Sequence, residues 1–337
     1  MQGVRGSTPL SSTNLLNLII TGESRLNTVT IPDRWSAANL PDLSGKKFVI
    51  TGGTSGLGLA TATELARRNA HVVITARTAA KGAQAVKQIG PGKVDVLEMD
   101  LTDLSTVHAA AKELTGQIDV LILNAGVMAT PFTKTKDGFE LQMGTNHLGH
   151  FAFAGLLHKQ VRERMVVVSS FAHRMGNFGD NTQTTIKNMC LGIGKYQPWP
   201  VYGASKLANL LFVAEVERLR IKNKWPFMPM AAHPGYSNTN LQSVSPDMRG
   251  NKIEGQIING LNTVLAQSAS RGALPTLCAA VFPELMGGSF IGPNGLMEMR
   301  GFPKLTRARA LAYDQTLARN LWQVSEELTG VKWAANA

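Results

Sequence analysis

Short apolar runs alternate with amphipathic ones along most of the chain. KKFVI (Lys46 to Ile50), HVVITAR (His71 to Arg77), KVDVLEMD (Lys93 to Asp100) and IDVLILNAG (Ile118 to Gly126) read as strands. So do ERMVVVSS (Glu163 to Ser170) and FMPMAAHPG (Phe227 to Gly235), with GGSFIGP (Gly287 to Pro293) as a late strand or its approach. Between them, LATATELARRN (Leu59 to Asn69), Leu104 to Leu114, Gly138 to His158 and Tyr202 to Lys222 read as helices, and the tail from Arg307 to Leu328 as another. Near-continuous apolar strands separated by single helices predict an α/β fold: one doubly wound domain, its parallel sheet flanked by helices.

Composition narrows this only a little. The chain of 337 residues is 44% apolar and 17% charged, which excludes disorder throughout. Two cysteines, Cys190 and Cys278, are too few for a disulfide scaffold and fit a reducing compartment. The net charge of +11 has no dense basic block and no interleaved aromatics, so it reads as a basic surface without a nucleic-acid partner. LLNLII (Leu15 to Ile20) is too short to cross a bilayer, and no integral membrane segment is expected. Residues 1–40 read as an N-terminal arm and 41–337 as the domain. The default location is cytoplasmic, with targeting by the arm left open.

The first strand runs directly into TGGTSGLG and then a helix. Glycine permits the tight backbone a dinucleotide needs at close range, and the helix N-terminus offers unpaired N–H groups to a pyrophosphate. This strand–turn–helix makes the domain Rossmann-type, although the glycine spacing differs from GxGxxG. The expected cofactor contacts here are Gly52, Thr54, Ser55, Gly56, Leu57 and Gly58. At the end of the second strand, where an acid would bind the ribose hydroxyls of NAD, stands Thr75-Ala76-Arg77. Arg77 suits a ribose phosphate, so the expected cofactor is NADP(H). Asp100, with Leu101 beside it, either meets adenine or caps the turn at Thr102.

Tyr202 and Lys206 stand at i and i+4 in VYGASKLANLLF and share a helix face. A lysine cation beside a phenol is expected to lower its pKa and ready it for proton transfer. Ser170 ends a strand at the edge where parallel sheets gather ligands, with Ser169 as its rival, because a slip of one residue reverses a strand side chain. The seven histidines offer no convincing metal set, and His147 and His150 read as core packing or capping.

Taken together, TGGTSGLG, NAG (Asn124 to Gly126), NHLGHFAF (Asn146 to Phe153), VVVSS, YGASK and HPG (His233 to Gly235) resemble the short-chain dehydrogenase/reductase superfamily. NHLGHF, SSFAHR and SKLANLLF resemble its retinol dehydrogenase and protochlorophyllide reductase-like branch. The resemblance implies a catalytic tetrad of Asn146, Ser170, Tyr202 and Lys206. In it Tyr202 is the acid/base and Lys206 holds the nicotinamide ribose. Ser170 positions the substrate oxygen, and Asn146 holds a water in a proton relay. It also implies that Asn124 braces the sheet, that Ala125 and Gly126 pass close to the cofactor, and that Pro234, Gly235 and Thr239 flank the nicotinamide. Gly53, where many relatives have alanine, reads as a mild departure.

Ser170 and Tyr202 are 32 positions apart, more than in simpler members, so insertions near 173–199 and 239–265 are expected to shape the substrate rim. Met175, Phe178, Met189, Tyr196, Trp199 and Val201 either line an apolar mouth or close the domain's own core. The expected function is NADP(H)-dependent interconversion of a carbonyl and an alcohol on a hydrophobic or polycyclic small molecule. Reduction of an activated carbon–carbon double bond and non-catalytic NADP binding are the alternatives. Apolar faces at Leu148 to Leu157 and Leu207 to Leu219 fit either a homodimer interface or burial within a monomer. The segment GPNGLMEMRGFPK (Gly292 to Lys304) reads as structural.

Overall fold

The computed structural model describes residues 29–237 and 267–333. Thr239, the expected insertion at 239–265 and most of the expected arm lie outside the described residues. In chain order the elements begin β1 (Lys47–Ile50), α1 (Gly56–Ala66), β2 (His71–Ala76), α2 (Ala79–Ile89), β3 (Lys93–Glu98), α3 (Leu104–Glu113) and β4 (Ile118–Leu123). A π turn (Gly144–Leu148) then leads into α4 (Gly149–Leu157). There follow β5 (Val161–Val168), a 3-10 turn (Phe171–Met175), α5 (Gln183–Leu191), α6 (Pro198–Asn223) and β6 (Met228–Ala232). The described chain closes with α7 (Leu274–Val281), β7 (Phe290–Pro293), β8 (Pro303–Leu305) and α8 (Gln315–Thr329).

The eight strands form one sheet in the order β3-β2-β1-β4-β5-β6-β7-β8. Strands β1 to β7 are parallel, and β8 pairs antiparallel with β7. The sheet is therefore mixed at one edge, not parallel throughout. Three residues beginning with a proline carry no periodic pattern, so β8 left no mark in the sequence. Burial alternates along β1: Phe48 and Ile50 join one core with Val72, Ile74 and Leu65. Val49 joins the other with Val73, Leu121 and Phe151. The strand order reverses between β1 and β4, and a crevice at their carboxyl ends is where such sheets take ligands.

Two further features bear on the site. Ile31, Trp35 and Leu40 are buried in the core beside α1, so the described end of the expected arm is part of the packed domain. The outer faces of α4 and α6 are covered by α8 and the residues after it. Trp322 meets Phe151 edge-on with ring centres 5.0 Å apart and stacks on Phe212 at 6.0 Å, with Trp333 completing the cluster. The faces expected to serve a dimer or ordinary burial thus meet the chain's own C-terminal helix. Among the described residues no helix is long and apolar enough to cross a membrane.

Candidate active site

The phosphate turn is shaped by close backbone approach. Gly52 has a positive φ of 67°, and a Cβ on Gly58 would lie 2.2 Å from the Gly52 carbonyl oxygen. Helix α1 opens behind Ser55, whose side chain makes no capping bond, so its first N–H groups are not spent on the N-cap. Gly53 is tied to its surroundings, since a Cβ there would stand 2.4 Å from the Ile74 side chain. The exchange with alanine is therefore not mild in this chain. Asn124 donates from its side chain to the Thr51 carbonyl at 2.9 Å and so joins the ends of β1 and β4. A Cβ on Gly126 would approach Asn146 Oδ1 at 3.0 Å and Lys206 Nζ at 3.3 Å. This close approach connects the strand edge to α6.

Arg77 is exposed at the end of β2 and makes no hydrogen bond or ion pair among the described residues. The nearby carboxylate belongs to Glu98 on β3, which accepts from the Ala79 N–H at 2.9 Å at the start of α2. Asp100 turns to the capping alternative: it accepts from Thr102 N at 2.9 Å and Thr102 Oγ1 at 2.8 Å, with Leu101 buried alongside.

Ser170, Tyr202 and Lys206 converge where β5 meets α6. Ser169 and Ser170 diverge as strand geometry requires. Ser169 donates to the Lys206 carbonyl at 2.8 Å, whereas Ser170 Oγ accepts from Ala172 N at 3.2 Å and faces the Tyr202 phenol. Lys206 Nζ donates to the Val168 carbonyl at 3.2 Å and lies 5.8 Å from the centre of the Tyr202 ring. Burial pushes Lys206 down to about 8. Burial also pushes Tyr202 up, against the opposing bond from Ser170. The expected lowering of Tyr202 by Lys206 is thus reversed here, because desolvation of the enclosed phenol outweighs its neighbours.

Asn146 sits in the π turn, fully buried rather than at a helix surface. Its Oδ1 accepts from Val127 N at 2.8 Å, and its Nδ2 donates to the Val127 carbonyl and to Ser205 Oγ, both at 2.9 Å. The side chain is therefore a brace between β4 and α6. Such π turns recur at functional sites because they displace one residue from the helical register.

Pro234 and Gly235 are held from behind. Gln267 Nε2 donates to the Pro234 carbonyl at 2.6 Å, and Tyr236 N donates to the Met299 carbonyl at 2.6 Å. His233 Nε2 pairs with Glu298 at 3.2 Å. Burial alone would raise Glu298, but His233, Thr306 and Lys304 together hold it at about 2. The sequence reading missed Gln267, which reaches the HPG turn through a parallel bridge to Ser237, and Glu298, which the β7–β8 connection brings there.

The insertion divides between its two readings. Phe178 and Val201 are buried in the core, and Met189 and Tyr196 pack against it. The Tyr196 hydroxyl donates to the Thr130 carbonyl at 2.9 Å and accepts from Gln142 at 2.9 Å; burial pushes it up to about 12. Met175 is exposed. Trp199 is exposed as well, and stands edge-on to Tyr202 at 6.2 Å.

Residues 46–250 match the short chain dehydrogenase family. Retinol dehydrogenase 14 of Mus musculus is 35% identical over 316 residues, covering 86% of this chain and 87% of its own. Retinol dehydrogenase 11 of Homo sapiens is 34% identical over 300 residues, covering 86% and 87%. The crystal structure of an uncharacterized protein from Mycobacterium Paratuberculosis is 41% identical, with a TM-score of 0.74, covering 89% of this chain and 98% of that one.

Proposed function

Because the chain belongs to the short chain dehydrogenase family, and is with it an NAD(P)-dependent oxidoreductase of small-molecule carbonyls and alcohols, we propose a narrower reading. The chain uses NADP(H) and interconverts a carbonyl and an alcohol on an apolar molecule, with Tyr202 as acid/base. One observation carries this: the buried Tyr202 phenol stands beside Lys206, whose Nζ lies 5.8 Å from its ring centre, at the carboxyl edge of the sheet.

The residues present fit a dinucleotide. The backbone from Gly52 to Gly58 turns too tightly to admit a Cβ at Gly52, Gly53 or Gly58, and α1 presents its N-terminus to a pyrophosphate. Thr54, Ser55, Gly56 and Leu57 complete this cradle. Arg77 would take the 2′-phosphate, Ala125, Gly126 and Lys206 the nicotinamide ribose, and Pro234 and Gly235 the nicotinamide. Asp100 and Leu101 would border the adenine. Thr239 is assigned beside the nicotinamide by the family motif alone. The chemistry supplied by bound NADPH is hydride.

The chain's own work is positioning and proton transfer. The Ser170 hydroxyl orients the substrate oxygen and steadies the charge that grows on it. Tyr202 donates the proton. A phenol holds its proton at neutral pH, with an ordinary pKa of about 10, and burial of Tyr202 acts in the same direction, so the side chain is present as the acid that carbonyl reduction needs. Trp199 and Met175 form the apolar lip, which suits a retinal-like aldehyde, as the names of the relatives also suggest.

Product analysis tests the reading. NADPH and all-trans-retinal are expected to yield retinol with the polyene intact. Loss of a carbon–carbon double bond would establish the alternative chemistry. NADPH binding without turnover of any carbonyl in a panel would favour the non-catalytic alternative.

A further inference from the structure

The histidine of NHLGHF that lies nearest the site takes no part in the proton transfer described above, yet it is fully enclosed by it. His150 Nε2 lies 2.8 Å from Thr51 Oγ1, and His150 Nδ1 lies 3.1 Å from the Asn146 main-chain oxygen. The direction of each bond follows from counting donors. Thr51 Oγ1 already accepts from Asn124 N at 2.9 Å and from Ala125 N at 3.0 Å. With both lone pairs engaged, its own proton goes to His150 Nε2. The imidazole must then carry its proton on Nδ1 and donate it to Asn146. A doubly protonated ring would aim an N–H at an oxygen with no lone pair left. Burial pushes His150 down to about 4; the bond to Asn146 opposes this, and Lys206 adds to it.

The link joins three parts of the site: the end of β1 that enters the phosphate turn, the NAG backbone at the end of β4, and the π turn that holds Asn146. The Asn146 side chain is spent on Val127 and Ser205. His150 engages the main-chain oxygen of Asn146, and Ser205, the side chain's partner on α6, in turn donates to the Tyr202 carbonyl at 2.8 Å.

We propose that His150 is a positioning residue: as a neutral Nδ1–H imidazole it fixes Asn146 relative to the cofactor turn, and through the bonds from Asn146 to Ser205 and from Ser205 to the Tyr202 carbonyl it sets where α6 holds the Tyr202 phenol. The proposal rests on the tyrosine reading above. A role in packing alone would need the ring and not its two nitrogens.

The test begins without a substrate. Nitrogen-15 NMR of the full chain at pH 7, with His150→Gln assigning the signal, is expected to show the neutral Nδ1–H form. A charged ring or the Nε2–H form overturns the proposal. Kinetics with NADPH and all-trans-retinal follow. His150→Phe keeps an aromatic ring without nitrogens and is expected to lose roughly 10- to 100-fold in kcat, with KM little changed. His150→Gln can accept from Thr51 and donate to Asn146, and is expected to recover to within about threefold of the parent. Full activity in His150→Phe, or equal losses in the two variants, overturns the proposal. If His150→Phe fails to fold, Thr51→Val cuts the other end of the link. It carries the same expected loss, and an unchanged kcat overturns the proposal. Tyr202→Phe in the same assay separates the two ideas. If it alone abolishes turnover while His150→Phe is silent, only the histidine proposal falls. If Tyr202→Phe keeps turnover, the tyrosine reading fails and takes the histidine proposal with it.

Discussion

The glycine turn after β1 and the insertion that runs into the start of α6 are built on different terms. In the turn, backbone meets backbone: Gly58 leaves no room for a Cβ against Gly52, and Asn124 spans β1 and β4. In the insertion, side chains of similar apolarity take opposite fates. Phe178 is sealed in the core, while Trp199, only 21 positions later, stands at the surface beside Tyr202. A backbone constraint restricts which residues are allowed, so it is written into the sequence. Choosing which aromatic turns inward is a tertiary decision and leaves no local pattern.

Substitutions can break this comparison at either end. Phe178→Ala should have the largest effect on folding, about 3–5 kcal/mol in a denaturant titration, because it empties a fully buried aromatic site. A loss below 1 kcal/mol would move Phe178 to the rim.

Lys206 gives a pH test of how closed the packing around α6 is. Its folded pKa of about 8 lies below the ordinary 10.5. Between those values the unfolded chain holds a proton that the folded chain has lost, so this group makes stability rise with pH through that window. Its contribution is complete above 10.5, disappears as pH falls through 8, and is worth about 3 kcal/mol over the full range. Lys206→Met should remove that slope when the two chains are unfolded in parallel at pH 7.5 and pH 10. Identical slopes would mean that the ammonium is solvated.

Arg77→Ala should leave NADH affinity unchanged and weaken NADPH by roughly 10- to 100-fold, the scale of a charged hydrogen bond. Paired titrations at fixed salt check this, and an unchanged ratio would remove Arg77 from the phosphate site. Glu98 stands on the neighbouring strand at the start of α2, which makes the ratio itself informative. Trp199→Ala should be the mildest change, within about 1 kcal/mol in stability. It should raise KM for an apolar aldehyde and leave NADPH binding alone. A large loss of stability would assign Trp199 to the core instead.

The same contrast explains what the sequence made legible. Strands β1 to β7 follow from apolar runs with turn signals at their ends, and the tail helix follows from its period. The YxxxK spacing brought Tyr202 and Lys206 to one face, and strand alternation gave Ser169 and Ser170 different partners. What stayed hidden depends on distant partners. His150 meets Thr51 across 99 positions, and Glu298 meets His233 across 65. The direction of the Tyr202 shift was misjudged for a related reason: spacing reveals a nearby cation but not how deeply the phenol is enclosed. The cover on α4 and α6 belongs to the same class, since an apolar helix face does not say whether a second chain or the same chain's Trp322 will meet it.

The central claim is that Tyr202 delivers the proton while the sheet edge holds NADPH. Single-turnover oxidation of NADPH with all-trans-retinal, in the parent chain and in Tyr202→Phe at matched cofactor occupancy, tests it most directly. The account predicts that Tyr202→Phe binds NADPH as the parent does and reduces retinal about 10²- to 10⁴-fold more slowly. A variant that turns over within about threefold of the parent, at full occupancy, would contradict it.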